Sequence, residues 1–255
     1  MAILSFRALS LWLLGYPESA LADLAQAVKY AREIDQATTL MYALDHTTMF
    51  VHIPCGNYTS AEPALEEVIA LADAKGAPFV KALAMLNRSW ILSLTGKASE
   101  AIQMLTSWIG AYRSTGATIY APLHLSILAR ATAEVGEFPG AWRYVDEAMA
   151  AIETTKESWF EAEANRIAGE IALLSPAPNS AKAQEYFDRA LQIARQQKAK
   201  SWELRAAMSM ARLWRDQGKR TEARDLLAPI YGWFTEGFDT LDLKEAKALL
   251  QQLTS

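Results

Sequence analysis

One cysteine, Cys55, is all that this 255-residue chain offers. No internal disulfide can form, which excludes a disulfide framework and fits a reducing, cytoplasmic compartment. Long hydrophobic runs are missing as well: no stretch reaches the roughly 18 uninterrupted apolar residues of a membrane span. The opening MAILSFRALSLWLL has the apolar core of a signal peptide, but no positive charge precedes it, and a secretory leader needs that basic start. An excess of positive charge is also absent. The formal net charge is −4, and no run of six basic residues occurs, so the chain lacks the basic stripe of a nucleic-acid surface.

Catalytic signatures are equally scarce. There is no glycine-rich phosphate loop ending in Gly-Lys-Ser/Thr, no His-Glu-x-x-His and no Gly-x-Ser-x-Gly elbow. The three histidines, His46, His52 and His124, lack the close spacing or carboxylate company of a metal site. His46 and His52 stand six apart on one expected helix, which puts them on different faces. Cys55 precedes a turn glycine and reads as a quiet structural thiol. The sequence therefore predicts no catalytic residue, no metal and no cofactor. Disorder is excluded too, since 51% apolar residues suffice for a continuous core.

What the chain has is a beat. Gly15, Gly56, Gly96, Gly136 and Gly218 are each followed five residues later by alanine: Ala20, Ala61, Ala101, Ala141 and Ala223. The glycine steps are 41, 40 and 40 residues, then 82, which is two further periods. In the skipped copy Pro176-Ala177-Pro178 replaces the glycine, while the alanine returns at Ala183. One off-phase pair, Gly116 with Ala121, makes the phase the informative part. A fixed period of this size marks a repeat array.

The copy over Pro78 to Thr115 spells out the unit. Phe79, Leu83, Leu86, Trp90 and Leu94 recur at three- and four-residue steps and form one face of a helix. Gly96 ends it with a left-handed turn. Ser99 and Glu100 open a second helix, whose Ala101, Leu105, Trp108 and Ile109 face back. Four residues beyond the phased alanines stand Leu24, Leu65, Leu105, Val145, Phe187 and Leu227, all apolar. First helices begin near Thr38, Pro78, Thr118, Ser158 and Ser201, through capping or a preset φ. Prolines are expected at turns and helix starts only. Acidic residues such as Asp23, Glu66 and Glu67 read as a solvated outer face, and Trp108, Trp142 and Trp214 as packing. The fold class is all-α: an α-solenoid of about six helical hairpins with a C-terminal capping helix. It forms one domain over 1–255, a right-handed superhelix with hairpins at 1–35, 36–76, 77–116, 117–156, 157–199 and 200–234 and a cap at 239–253. The first helix carries Ile3, Leu4, Phe6, Leu9, Leu11, Trp12, Leu13 and Leu14 nearly all round its axis, and such a helix is normally covered all round. Its face at Leu4, Leu9 and Trp12 is thus expected to associate, with a second copy or with further repeats.

The glycine, the phased alanine and the apolar position four beyond resemble the tetratricopeptide pattern, in a unit longer than its roughly 34 residues. More specifically, LWRDQG at 213–218 and YGWFTEGFD at 231–239 are similar to the closing segment of bacterial multidomain signalling ATPases, class III adenylate cyclases and related transcription activators. The resemblance covers nearly the whole chain. It implies a non-catalytic sensor and protein-docking array, since no cyclase, ATPase or DNA-binding segment is present. In such arrays the first helices line a concave wall. The matching positions here are His46 and Phe50, Leu86 and Trp90, Ser126 and Arg130, Asn165, and Arg205, Arg212 and Arg215. That wall would run from aromatic to basic and suit a protein or peptide with an acidic end, or a small effector. Pairing of these arginines with Glu161, Glu163 or Asp216 is the competing reading. The alternative architecture is a helical-toroid enzyme or ligand-binding protein, but the short loops at Gly56, Gly96 and Gly136 bring no carboxylate cluster. The expectation is a protein or peptide partner, with no nucleic acid and no membrane.

Overall fold

A computed structural model describes residues 2–254. All regular structure among them is helical: α1 Ala2–Leu13, α2 Pro17–Ile34, α3 Ala37–Thr47, α4 Tyr58–Lys75, α5 Pro78–Leu94, α6 Ala98–Ser114, α7 Ala121–Glu134, α8 Phe138–Thr155, α9 Glu161–Leu174, α10 Ser180–Gln196, α11 Lys200–Asp216, α12 Arg220–Tyr231 and α13 Leu241–Thr254. Consecutive helices pair, α3 with α4, α5 with α6, α7 with α8, α9 with α10 and α11 with α12. This is the expected tetratricopeptide-like array of about six hairpins, closed by the capping helix α13. Two compact units make up the chain. The first holds α1 to α6; the second holds α7 to α13 and takes in Leu13–Gly15.

The phase has a direct structural meaning. Gly15, Gly56, Gly96, Gly136 and Gly218 all adopt φ between +78° and +90°, a left-handed turn that a side chain resists. The alanines Ala20, Ala61, Ala101, Ala141, Ala183 and Ala223 are fully buried, where the two helices of each hairpin meet. In the copy without glycine, Asn179 replaces the turn device. Its side chain accepts a hydrogen bond from the Lys182 backbone N–H at 2.9 Å and caps α10.

Three local expectations give way. Pro63 and Pro229 lie inside α4 and α12; both face solvent, so water can serve the carbonyls of Thr59 and Asp225 that a proline cannot bond. The helix of His46 does not run on as α but becomes π-helical over Thr48–His52. Finally, α7 and α9 start at Ala121 and Glu161, three residues after Thr118 and Ser158. Glu157 explains both delays: its carboxylate accepts the Tyr120 backbone N–H at 2.8 Å and the Trp159 indole N–H at 2.7 Å. Tyr120 is thereby held left-handed.

Candidate interaction face

The two helices of each hairpin bury different chemistry. The second helices, α2, α4, α6, α8, α10 and α12, sink a narrow stripe of small and apolar residues. Among the described residues, every buried polar or charged side chain sits on a first helix or on the π-helical stretch continuing α3. These run from Ser5 through Asp45, Asn87, His124 and Glu163 to Ser209. First helices are flanked by neighbours on two sides, so their polar groups are sealed in and must find partners.

In the second unit Ser126, Thr132 and Asn165 bond backbone carbonyls one turn back, and the charged residues partner one another. Arg130 on α7 bonds Glu134 at 3.0 Å and faces Glu170 on α9 at 3.9 Å. Arg166 bonds both Glu163, at 2.7 Å, and Glu170. Arg205 on α11 reaches Glu163 at 3.2 Å and Asp242 on α13 at 2.7 Å. The result is one chain of alternating charge across four helices. Burial alone would raise Glu163, but Arg166 and then Arg205 outweigh it and hold the carboxyl at about 2. Burial likewise opposes the charge on Arg166 and Arg205, and their carboxylates outweigh it, so both are pushed up. At Asp242 burial wins over its bond to Arg205, and that carboxyl is raised. The outer members of the charge chain stay partly accessible, with side-chain exposure of 31% at Arg130 and 26% at Glu170, as does the separate pair Arg212 and Glu245 at 37% and 45%.

The first unit has an aromatic cluster instead. His46 stacks on Tyr42 at 3.8 Å and meets the edge of Phe50 at 4.9 Å; Phe6 lies 5.9 Å from both His46 and Phe50. The His46 Nδ1–H donates to the Tyr42 carbonyl at 2.9 Å. Burial pushes the imidazole down to about 4 despite that bond, so it is neutral. Beneath the cluster Asn87 Nδ2 donates to Asp45 Oδ1 at 2.9 Å.

The sequence-predicted wall residues fall into two groups. His46, Phe50 and Trp90 are buried, as is Asn165, whose amide bonds the Glu161 carbonyl at 2.8 Å. Arg130 and Arg205 join the charge chain, while Arg212 pairs with Glu245 at 2.7 Å and Arg215 with Asp216 at 2.9 Å. At the N-terminal helix, Trp12 is buried and Leu4 and Leu9 are half-buried; the exposed apolar residues there are Ile3 and Phe6. Glu163, Arg166, Glu170, Asp45 and Asn87 lie outside the sequence-predicted wall positions. A signal for them exists: the linked pairs Asp45–Asn87, Glu163–Arg205 and Arg166–Ser209 are 42, 42 and 43 residues apart, about one period. No group of three or more His, Cys, Asp or Glu side chains among the described residues could hold a metal, and no helix among them is long and apolar enough to cross a membrane.

No family model matches the sequence, and no curated protein does. Among solved structures the fold is similar to that of a Rap protein complexed with competence and sporulation factor. The TM-score is 0.64 at 12% identity, over 98% of this chain and 73% of that one. At that identity the likeness speaks for the fold.

Proposed function

We propose that the chain is a non-catalytic interaction and sensing module that binds a protein or peptide partner through its first-helix side, within a bacterial signalling or transcription-regulatory system. The observation that carries this reading is the segregation of polar and charged side chains onto the first helices, against apolar stripes on the second. A surface that places Arg130, Glu170, Arg212 and Glu245 partly in solvent offers charge-assisted hydrogen bonds to a partner of mixed charge. The Rap protein, a similar helical array, was solved with competence and sporulation factor, which supports an effector-binding role here. The acidic balance of the chain speaks against nucleic acid as that partner, and the single cysteine suits a cytoplasmic protein.

The test is crosslinking with quantitative mass spectrometry in the source cell, wild type against Arg130→Glu with Arg212→Glu. A partner enriched by the wild type should fall at least about tenfold in the variant, the equivalent of ~1.4 kcal/mol, with helicity unchanged. Equal recovery of every partner removes the reading. A second copy is the proposed cover for Ile3, Phe6 and the half-buried Leu4 and Leu9 on α1; sedimentation as a monomer at micromolar concentration counts against it.

A further inference from the structure

Asp45 on α3 and Asn87 on α5 make a pair that is one hydrogen short. Asp45 is 2% exposed and Asn87 fully buried. The Asn87 Nδ2–H donates to Asp45 Oδ1 at 2.9 Å. Two further buried acceptors, Asp45 Oδ2 and Asn87 Oδ1, have no partner. An ionised carboxylate accepts only, and so does an amide oxygen. A charged Asp45 would leave both atoms orphaned in the protein interior, which folded proteins avoid. A carboxylic acid removes both orphans together. In that form the O–H on Oδ2 would donate to Asn87 Oδ1 and close a ring of two antiparallel hydrogen bonds.

His46 and the cations around the pair are engaged elsewhere. His46 Nδ1 is 4.0 Å from Asp45 Oδ2, but its hydrogen goes to the Tyr42 carbonyl. Tyr42 itself is held protonated by burial and by Asp45. His52, in the π-helical stretch, is kept neutral by burial. On α5, Arg88 turns to Glu62 and Glu66 of α4 at 3.3 and 3.9 Å, and Lys81 to Asp73 at 2.6 Å. Arg32 of α2 is bound by Glu67 at 2.7 Å. Thus no ion pair with a cation from α2, α4 or α5 reaches Asp45 among the described residues.

We propose that Asp45 is carried as a neutral carboxylic acid bridged to Asn87, and that the pair is a proton-gated fastening between the second and third hairpins. Burial pushes the Asp45 carboxyl up to about 7, against the pull of the Asn87 donor. The sign follows from linkage. A folded-state value above the ordinary carboxylate range of about 3.9 means stability that is complete below that range and lost as pH rises through about 7. Removal of the proton sets a buried charge beside an amide oxygen and loosens α3 from α5.

The experiment compares the intact chain with Asp45→Asn, whose amide can both donate to Asn87 and accept from it. The ratio of wild-type to variant unfolding constants should rise about tenfold per pH unit between roughly pH 5 and 7, then level off. Taking the ratio cancels the buried histidines, which titrate in the opposite sense. A ratio that stays flat from pH 5 to 8 overturns the proposal. Should the variant not fold, carbon NMR of the wild-type Asp45 carboxyl decides instead: a midpoint near neutrality supports it, and one at or below about 4 refutes it. Backbone hydrogen exchange, corrected for intrinsic rate, should quicken in α3 and α5 relative to α11 above neutrality; equal protection at both pH values refutes the gate.

Discussion

Replacing Gly169 by alanine should destabilise the protein, although the exchange ordinarily strengthens a helix. Gly169 lies within α9, and a β-carbon there would stand 2.6 Å from Cδ1 and 3.0 Å from Cζ of Phe187, and closer still to Cε1. Carbon atoms pack comfortably at about 3.5–4.0 Å. Phe187 is fully buried on α10, so its ring has no solvent to swing into. Overpacking of this kind costs about 1–3 kcal/mol, against a helix-propensity gain of about 1 kcal/mol for glycine to alanine. Three ring atoms collide at once, which puts the cost in the upper part of that range, about 2–3 kcal/mol, so overpacking wins by about 1–2 kcal/mol. In a chain of this length that lowers the melting temperature by roughly 2–8 °C. Phe187→Leu alone opens a void and costs about 1–2 kcal/mol. The double variant restores a pairing the chain already uses, alanine seven residues before the turn glycine and leucine four beyond the phased alanine, as in Ala8 with Leu24 and Ala211 with Leu227. It should be no less stable than Phe187→Leu, with a favourable coupling of about 1 kcal/mol or more. Denaturant titrations of the four proteins, read by helicity, give the cycle. A neutral or stabilising Gly169→Ala, or additive effects, would refute the reasoning.

Arg166→Met strips Glu163 and Glu170 of their shared cation and should cost about 3–5 kcal/mol, because a charge stays buried without its main partner. Adding Glu163→Gln should recover part of the loss, and unchanged stability in the single variant would contradict the role given to the charge chain. Glu163 is held at about 2, so its contribution is present above the ordinary glutamate range and lost as pH falls toward that value; in Arg166→Met burial is left to raise the carboxyl, and this loss on acidification should shrink or reverse. Lys156 occupies a left-handed turn after α8 with φ +61°, where the junction after α4 has Gly76 at +62°. Lys156→Gly relieves about 1–2 kcal/mol of backbone strain and adds about 0.5–1 kcal/mol of chain entropy cost, for a net gain of about 0.5–1 kcal/mol. A lower denaturation midpoint would show the strain to be absent.

The hairpins were legible because they rest on local chemistry with a fixed phase. A turn glycine, a small residue five later and an apolar one four beyond that need no knowledge of distant neighbours. The wall was less legible. His46, Trp90 and Asn165 occupy the expected helices and Phe50 the π-helical continuation of one, yet all are buried, since sequence does not reveal how closely adjacent first helices cover one another. Sequence offers Glu163 only as a pairing partner for the wall arginines and gives no reading of Arg166, since glutamate and arginine are usually solvated; their satisfaction comes partly from Arg205 and Ser209, one period away. The same blindness applies to Pro63 and Pro229, which helices accept because those positions face water.

The fifth hairpin turns at Ser175–Asn179 without a glycine, and Pro176, Ala177, Pro178 and Asn179 are exposed there. Its geometry is set by the Asn179 cap and leaves the residues before it without a packing duty. That makes this loop the place to open the polypeptide: a circular permutant with new termini there, or a reporter domain grafted into it, leaves every buried alanine in place.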